Sequence, residues 1–374
     1  MKIAINCRSF LNRQYTGIGR YAYNLVRSLS DIDSDNEYVL YAQKKYFDFK
    51  RRVPRIAAQN FSVKVDWLGH GIERTLGAID IYHSPSPDFI GIHQSKIVVT
   101  IHDLVYKVYP QGHTAQTIET SEKQLAAIAE KADRIICISQ STRKDLEQYF
   151  HVDPKKVSLV YQGVDKNIFF PINDSERPLA QAAAKKRGIR GPFILFVGTI
   201  EPRKNLQNLL LAFSDLKRKK LFAGQLLVVG MKGWMMEGLV QSIEKLNLKN
   251  DVVIPGYVSD DQLRYFYNLC EAFIFPSFYE GFGFPIIEAF SCGAAVVTSD
   301  CSSCPEIAKD AALTVNPSDP AKIAEAVAKI IQDKRLKAEL KDKALKRSQQ
   351  FSFLKTAQDT LKIYEQMSNS FVSQ

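Results

Sequence analysis

Residues 273–305 read FIFPSFYEGFGFPIIEAFSCGAAVVTSDCSSCP, and the reading of the whole chain turns on them. The apolar run Ala272 to Phe275 has the character of a buried parallel strand, and a glycine- and aromatic-rich loop follows it with Glu280, Gly281 and Gly283. Pro285 suits a first helical position, where its missing N–H costs nothing, and Gly293 suits the stop of the same helix. The pattern predicts Glu280 on the loop at the strand's carboxyl end and Glu288 near the first turn of the helix. Between the two carboxylates lie unpaired backbone N–H groups and the positive end of a helix dipole, which together suit a phosphate. Taken alone, Glu288 would need no role beyond complementing that dipole.

Outward from this stretch, strand-like runs alternate with helical ones. In the first half they are Lys2 to Asn6, Glu37 to Ala42, Ile79 to His83, Lys96 to Ile101, Arg134 to Ile138 and Val157 to Val160. In the second they are Phe193 to Val197, Gln225 to Val229, Val252 to Ile254, Ala272 to Phe275, Ala295 to Thr298 and Leu313 to Val315. Such alternation specifies α/β architecture with doubly wound parallel sheets. At 374 residues the chain exceeds what one core normally serves, so two domains are expected. The predicted division is 1–170 for a first Rossmann-like domain, 171–192 for a polar, proline-punctuated linker, 193–350 for a second Rossmann-like domain, and 351–374 for a C-terminal helix. In open α/β sheets ligands bind outside the carboxyl ends of the strands, so two such sheets facing one another would create a central cleft there.

Composition narrows the function classes. With 45% hydrophobic and 24% charged residues the chain reads as globular, and no apolar run approaches the roughly 18 to 20 residues needed to span a bilayer. The N-terminus opens as a strand rather than a signal peptide, which predicts a cytoplasmic protein. Six cysteines are scattered without a disulfide framework, and the single C-x-x-C, Cys301 to Cys304, lacks the second pair or histidine that a zinc site needs. The net charge of +10 favours anionic partners. Lys44, Lys45, Lys50, Arg51, Arg52 and Arg55, interleaved with Tyr46, Phe47, Phe49 and Val53, fit either an interfacial segment on an anionic membrane or a solvated helix face over packed aromatics.

Several other groups fall at strand ends. Arg203 and Lys204 sit in GTIEPRKN, directly after the strand Phe193 to Val197, where cationic side chains could hold a diphosphate; as bare residues, an Arg-Lys pair in a loop is usually just solvated. His102 with Asp103 ends another strand. TGIGRYA, residues 16–22, fits G-x-G-x-x-A from Gly17 to Ala22, but it begins about ten residues after Cys7. Glu37 precedes the next strand instead of ending it, so a dinucleotide-binding fingerprint is disfavoured.

Glu280, seven intervening residues and Glu288, set in EGFGFPIIEA, resemble the paired-glutamate signature of retaining GT-B glycosyltransferases, especially family four. The resemblance extends over nearly the whole chain and implies two facing Rossmann-like domains, no required metal or cofactor, and transfer from a nucleoside diphosphate sugar to an acceptor hydroxyl with retention. It implies that Arg203, Lys204 and the helix start at Phe282, Gly283 and Phe284 face the diphosphate. Glu280 would hold the donor sugar, Glu288 the ribose, and His102 would approach the reacting carbon. Thr199 stands where many members carry an arginine. Gly17 matches the family's first-domain glycine loop, whose usual first glycine is Thr16 here. Tyr257 and Val258 match the loop beside the base, and residues 139–145 a serine/arginine segment, although Ser141 and Ser259 also suit plain helix capping.

GTxEPRKN with GIGRY resembles bacterial mannosyltransferases of polysaccharide assembly, which points first to GDP-mannose, with UDP-glucose, UDP-N-acetylglucosamine or a deoxysugar donor as alternatives. The implied acceptor is a glycan, lipid-linked, at the cytoplasmic membrane face. Two rivals remain: a GT-B epimerase or phosphorylase, and a non-catalytic nucleic-acid-binding protein, for which the sequence offers no recognisable module, so no nucleic-acid partner is expected.

Overall fold

The computed structural model describes residues 1–11, 17–44, 48, 55–88, 92–231 and 236–372. The chain divides into two compact units, one comprising Met1–Lys107, His113–Gly163 and Ser352–Gln374, the other Val108–Gly112 and Val164–Phe351. The elements up to the end of the first sheet are β1 (Lys2–Asn6), α1 (Gly17–Ile32), β2 (Glu37–Gln43), β3 (Phe61–Asp66), α2 (Ile72–Leu76), β4 (Ile81–Ser84), β5 (Lys96–Ile101), α3 (Val105–Val108), α4 (Ala115–Lys131), β6 (Arg134–Cys137), α5 (Gln140–Tyr149) and β7 (Val157–Leu159). Its seven strands run parallel in the order β3-β2-β1-β4-β5-β6-β7. The order reverses between β1 and β4, and that reversal opens a crevice at the carboxyl ends.

The second unit continues with α6 (Arg177–Lys186), β8 (Phe193–Val197), α7 (Leu206–Arg218), β9 (Gln225–Val229), α8 (Met236–Lys245), β10 (Val252–Gly256), α9 (Asp260–Leu269), β11 (Ala272–Phe275), α10 (Phe284–Ser291), β12 (Val296–Ser299), α11 (Cys304–Ala308), β13 (Ala312–Val315), α12 (Pro320–Gln332) and α13 (Lys334–Ser348). Its six parallel strands are ordered β10-β9-β8-β11-β12-β13 and reverse between β8 and β11. FILFV, QLLVV and AFIF are buried at every position, because helices cover both faces of a parallel sheet and leave no solvent side for polar residues.

α14 (Phe353–Val372) closes the chain and belongs to the first unit, where it packs along α1. Gly163 makes this return possible: a Cβ there would lie 2.1 Å from the backbone nitrogen of Phe353.

The structure differs from the sequence expectations at particular points. The first sheet has an additional strand, β3, whose FSVKVD is half-exposed at the edge and so lacks the apolar run that marks its neighbours. Residues 171–192, expected as a linker, contain α6, which packs on α9, and the division between units falls after Gly163. Strands expected from Ile79 and from Ala295 begin at Ile81 and Val296. Among the described residues, no helix is long and apolar enough to cross a membrane. Thr16, Lys45, Tyr46, Phe47, Phe49, Lys50, Arg51, Arg52 and Val53 lie outside the described residues. Lys44 sits over the half-exposed ring of Trp67 at 5.6 Å.

Candidate active site

The β8/β11 reversal brings together the residues singled out by charge. After β8 the chain makes a short 3-10 turn, Pro202–Lys204, led by the proline and ended by Asn205 in the left-handed conformation at φ 60°. The Asn205 amide donates to the carbonyls of Pro276 (3.0 Å) and Pro317 (2.6 Å), and Phe278 N–H donates to the Arg203 carbonyl at 2.8 Å. The turn after β8 is thereby fastened to the loop after β11. Across this seam Lys204 Nζ donates to Glu280 Oε1 at 2.6 Å, and Arg203 donates to Glu280 Oε2 at 2.9 Å and to the Tyr279 carbonyl at 3.0 Å. The other arm of Arg203 meets Glu201 at 2.7 Å.

Lys204 and Glu280 are both buried, and the ammonium lies 5.0 Å from the Phe275 ring. Burial works to raise the Glu280 pKa, but the charges of Arg203 and Lys204 outweigh it and bring it down to about 2. Glu280 is therefore an anion at every physiological pH. It is a poor proton acceptor and a good fixed charge and hydrogen-bond acceptor.

Because all strands are parallel, the segments after β8, β9, β10, β11 and β12 emerge on one edge. Thr199, half-buried, follows β8; exposed Tyr257 and buried Val258 follow β10. Gly230 after β9 lies against the β8 loop so closely that a Cβ would sit 1.9 Å from the Gly198 carbonyl oxygen. Gly283, at φ 99°, precedes α10, and Pro285 occupies its first turn. Phe282 is buried against Phe284 and Phe351, each ring centre 5.8 Å away, so it fixes the loop as part of the core. Glu288 is the fifth residue of α10 rather than part of its first turn. It is buried and accepts from the Tyr267 hydroxyl of α9 at 3.0 Å.

In the first unit His102 follows β5 and is buried. Its Nε2 lies 2.8 Å from the Pro85 carbonyl, which can only accept, so that nitrogen carries the proton. The Gln162 amide, 3.0 Å from Nδ1, then donates to it. Burial draws the imidazole pKa below its ordinary value, against the Pro85 carbonyl and the Asp103 charge, and the ring is neutral. Tyr21 packs edge-on to it at 5.0 Å. The Asp103 carboxylate accepts from Val105 N–H at 3.1 Å, beginning the following turn. Gly17 opens α1 and is exposed. Ser139, not Ser141, caps α5 by accepting from Thr142 N–H, while Ser259 caps α9 as expected.

Sequence reasoning missed Gln162, Tyr267, Ser302 and Ser303. Ser302 Oγ accepts from Glu280 N–H at 3.0 Å, and Ser303 Oγ donates to the carbonyls of Glu280 (2.9 Å) and Phe282 (3.0 Å). Their signal was present in C-S-S-C-P, which reads as a cysteine motif or a helix start before it reads as a support for another loop. Cys301 and Cys304 are free thiols, and burial pushes them up to about 11 and about 12. Among the described residues, no group of three or more His, Cys, Asp or Glu side chains is placed to hold a metal ion.

Two parallel α/β sheets, one with an ionic cluster at its reversal point, define a GT-B type enzyme. A model for "Glycosyltransferase Family 4" matches residues 15–167 and one for "Glycosyl transferases group 1" matches 181–347. The chain belongs to the family-four glycosyltransferases of the GT-B fold. It is 27% identical to O-antigen chain mannosyltransferase B of Escherichia coli over 373 residues, 94% of this chain and 96% of the relative. Over 230 residues, 61% of this chain, it is 33% identical to the serotype-specific mannosyltransferase WbdA of Escherichia coli, of whose length the match spans 28%. The fold is also that of a sucrose-phosphate synthase from Thermosynechococcus elongatus, with TM-score 0.79, 20% identity and 99% of each chain covered.

Proposed function

We propose that this glycosyltransferase transfers mannose from GDP-mannose to a hydroxyl of a glycan or lipid-linked acceptor in surface polysaccharide synthesis, with retention and without a metal. The mannosyl part is supported by the name of the relative matched along nearly its full length. The observation that carries the site is the cluster of partly exposed Arg203 with buried Lys204 and Glu280 at the carboxyl edge of the second sheet. A departing diphosphate gains negative charge as the glycosidic bond breaks, and pre-placed cations stabilise that charge without reorganising. Arg203, bound on one side to half-exposed Glu201, is the cation that an incoming phosphate would recruit by replacing Glu201. Glu280, held ionised, would accept hydrogen bonds from the donor sugar's hydroxyls. Since it is no base, the acceptor's proton passes to the departing phosphate oxygen on the same face, which is the retaining course. Glu288 would bind the ribose, and His102, neutral with Nε2–H and Nδ1 both engaged, would contribute shape and a carbonyl rather than a proton. The enzyme would act at the cytoplasmic face of the membrane.

The test is incubation of the purified protein with a lipid-linked glycan acceptor and GDP-mannose, UDP-glucose, UDP-N-acetylglucosamine or a dTDP-deoxysugar, with and without EDTA. Mannosylation from GDP-mannose that survives EDTA and gives an α-linked product by NMR supports the reading. Transfer from another donor corrects the sugar, inversion or EDTA sensitivity corrects the mechanism, and donor epimerisation or phosphorolysis without transfer overturns it.

A further inference from the structure

We propose that Ser302 and Ser303 are positioning residues for Glu280, a clamp that holds the backbone on both sides of the glutamate's Cα in the orientation its carboxylate needs. The inference rests on the donor-site reading above and deepens it. The two hydroxyls grip the same residue from opposite sides: Ser302 Oγ accepts from the Glu280 N–H, and Ser303 Oγ shares its proton between the Glu280 and Phe282 carbonyls.

Two features set this apart from ordinary loop bonding. Ser303 precedes α11 at the position where a serine normally accepts from the helix's own N–H groups, yet it makes no side-chain cap bond there. Its fully buried hydroxyl is turned to the neighbouring loop, so the helix gives up its usual cap. Ser302 sits in the left-handed region at φ 51°, a conformation a non-glycine residue adopts only when its surroundings hold it there. In that conformation its hydroxyl meets the Glu280 N–H. The strain and the missing cap fall on adjacent residues and serve the two peptide groups that flank the Glu280 Cα.

The consequence is selective. The nucleoside diphosphate would be held by Arg203, Lys204 and the α10 start, whereas the sugar's hydroxyls would be held by the Glu280 carboxylate. Loosening the clamp should therefore weaken the sugar nucleotide and spare the nucleoside diphosphate.

The experiment is isothermal titration of GDP and GDP-mannose, and of UDP and UDP-glucose, into the wild type, Glu280→Gln, Ser302→Gly and Ser303→Ala. Far-UV circular dichroism and thermal melts of each variant run alongside. Glycine accepts φ 51° without strain, so Ser302→Gly removes the hydrogen bond while keeping the loop's backbone accessible. The expected result, for whichever pair the wild type binds with a preference for the sugar nucleotide, is a fall in that preference of about tenfold in Ser302→Gly and in Ser303→Ala, with nucleoside diphosphate affinity unchanged. If Glu280→Gln loses the preference while both serine variants keep it, the clamp is refuted and the donor-site reading stands. If Glu280→Gln also keeps the preference, or the wild type shows none, the sugar-holding role of Glu280 falls and the clamp's purpose with it. A serine variant that loses both ligands equally shows a general structural role and overturns the proposal.

Discussion

The carboxyl edges of the two sheets share a topology and differ in their chemistry. In the second unit the reversal point is ionic: Arg203 and Lys204 converge on one buried carboxylate, and burial is compensated by charge. In the first unit the buried groups around His102 are imidazoles, hydroxyls and an amide, with the Asp103 carboxylate beside them. His102 lies between Pro85 and Gln162, and behind it His83 bonds Tyr364 at 2.5 Å and Thr100 at 2.9 Å, with Tyr21 completing the chain to Thr100 at 3.2 Å. Burial brings His83 down to about 3, with His102 a smaller influence. The difference is one of charge: one sheet edge holds a buried carboxylate between two cations, the other a set of buried rings and hydroxyls in which burial holds both histidines below their ordinary pKa.

The sharpest way to break this comparison is to remove charge from the second unit. Lys204→Met should lower kcat by about 10²-fold or more, since it deletes a pre-placed cation at the proposed leaving group. It should also cost about 3 kcal/mol in urea unfolding, because Glu280 keeps only Arg203 as a charged partner. Unchanged turnover in a folded Lys204→Met protein would place the leaving group elsewhere.

Next come two glycines, one in each unit. Gly230→Ala drives a Cβ into the Gly198 carbonyl and Gly163→Ala drives one into the Phe353 backbone. Each should destabilise by roughly 3 kcal/mol, as overpacking against backbone does at its upper end. Hydrogen exchange should locate the damage at the β8 and β9 ends in the first variant and along α14 in the second. Damage spread evenly over both units would show that the two do not behave as separate compact bodies.

The pH dependence sharpens the comparison further. Glu280 has its pKa depressed from 4.5 to about 2, so its contribution is complete above 4.5 and lost as pH falls towards 2. His83 is also depressed, from 6.5 to about 3, but as a base: it is neutral in both states above 6.5, and below that the unfolded state takes up a proton the folded state refuses, so stability falls as pH drops from 6.5 towards 3. On acidification the first unit should therefore loosen before the second. Hydrogen exchange at pH 7, 5.5 and 4 would read this order, and the reverse order would contradict the electrostatic assignment. The smallest expected effect is that of Glu288→Ala, which removes the acceptor of the Tyr267 hydroxyl and should raise the donor KM about tenfold with little change in kcat.

Much of this architecture can be read in the sequence wherever burial leaves a one-sided trace. FILFV, QLLVV and AFIF announce buried parallel strands because their runs are apolar apart from Gln225 at one strand's start, and Glu280 with Arg203 and Lys204 stands out because charges at strand ends have a place to go. The illegible parts are those in which a residue serves a distant partner. β3 is an edge strand with polar alternation, and α6 buries only two alanines and so resembles a linker. Asp103 follows His102 and acts on it through its charge, while its carboxylate accepts from Val105 N–H. Ser303 has the sequence position of a helix cap but spends its hydroxyl on a loop more than twenty residues earlier in the chain. Tertiary contacts decide each of these cases, and local pattern does not contain them.

The central claim is that the cluster on the second sheet's edge binds the diphosphate of a nucleotide sugar. Its most direct test is titration of GDP and GDP-mannose into the wild-type protein and into Arg203→Ala, the variant that leaves the buried Lys204–Glu280 pair in place. The account predicts binding of both ligands to the wild type and a loss of about a hundredfold for both in the variant, as expected for a charge-assisted bond to phosphate. Equal affinity of the two proteins would contradict it.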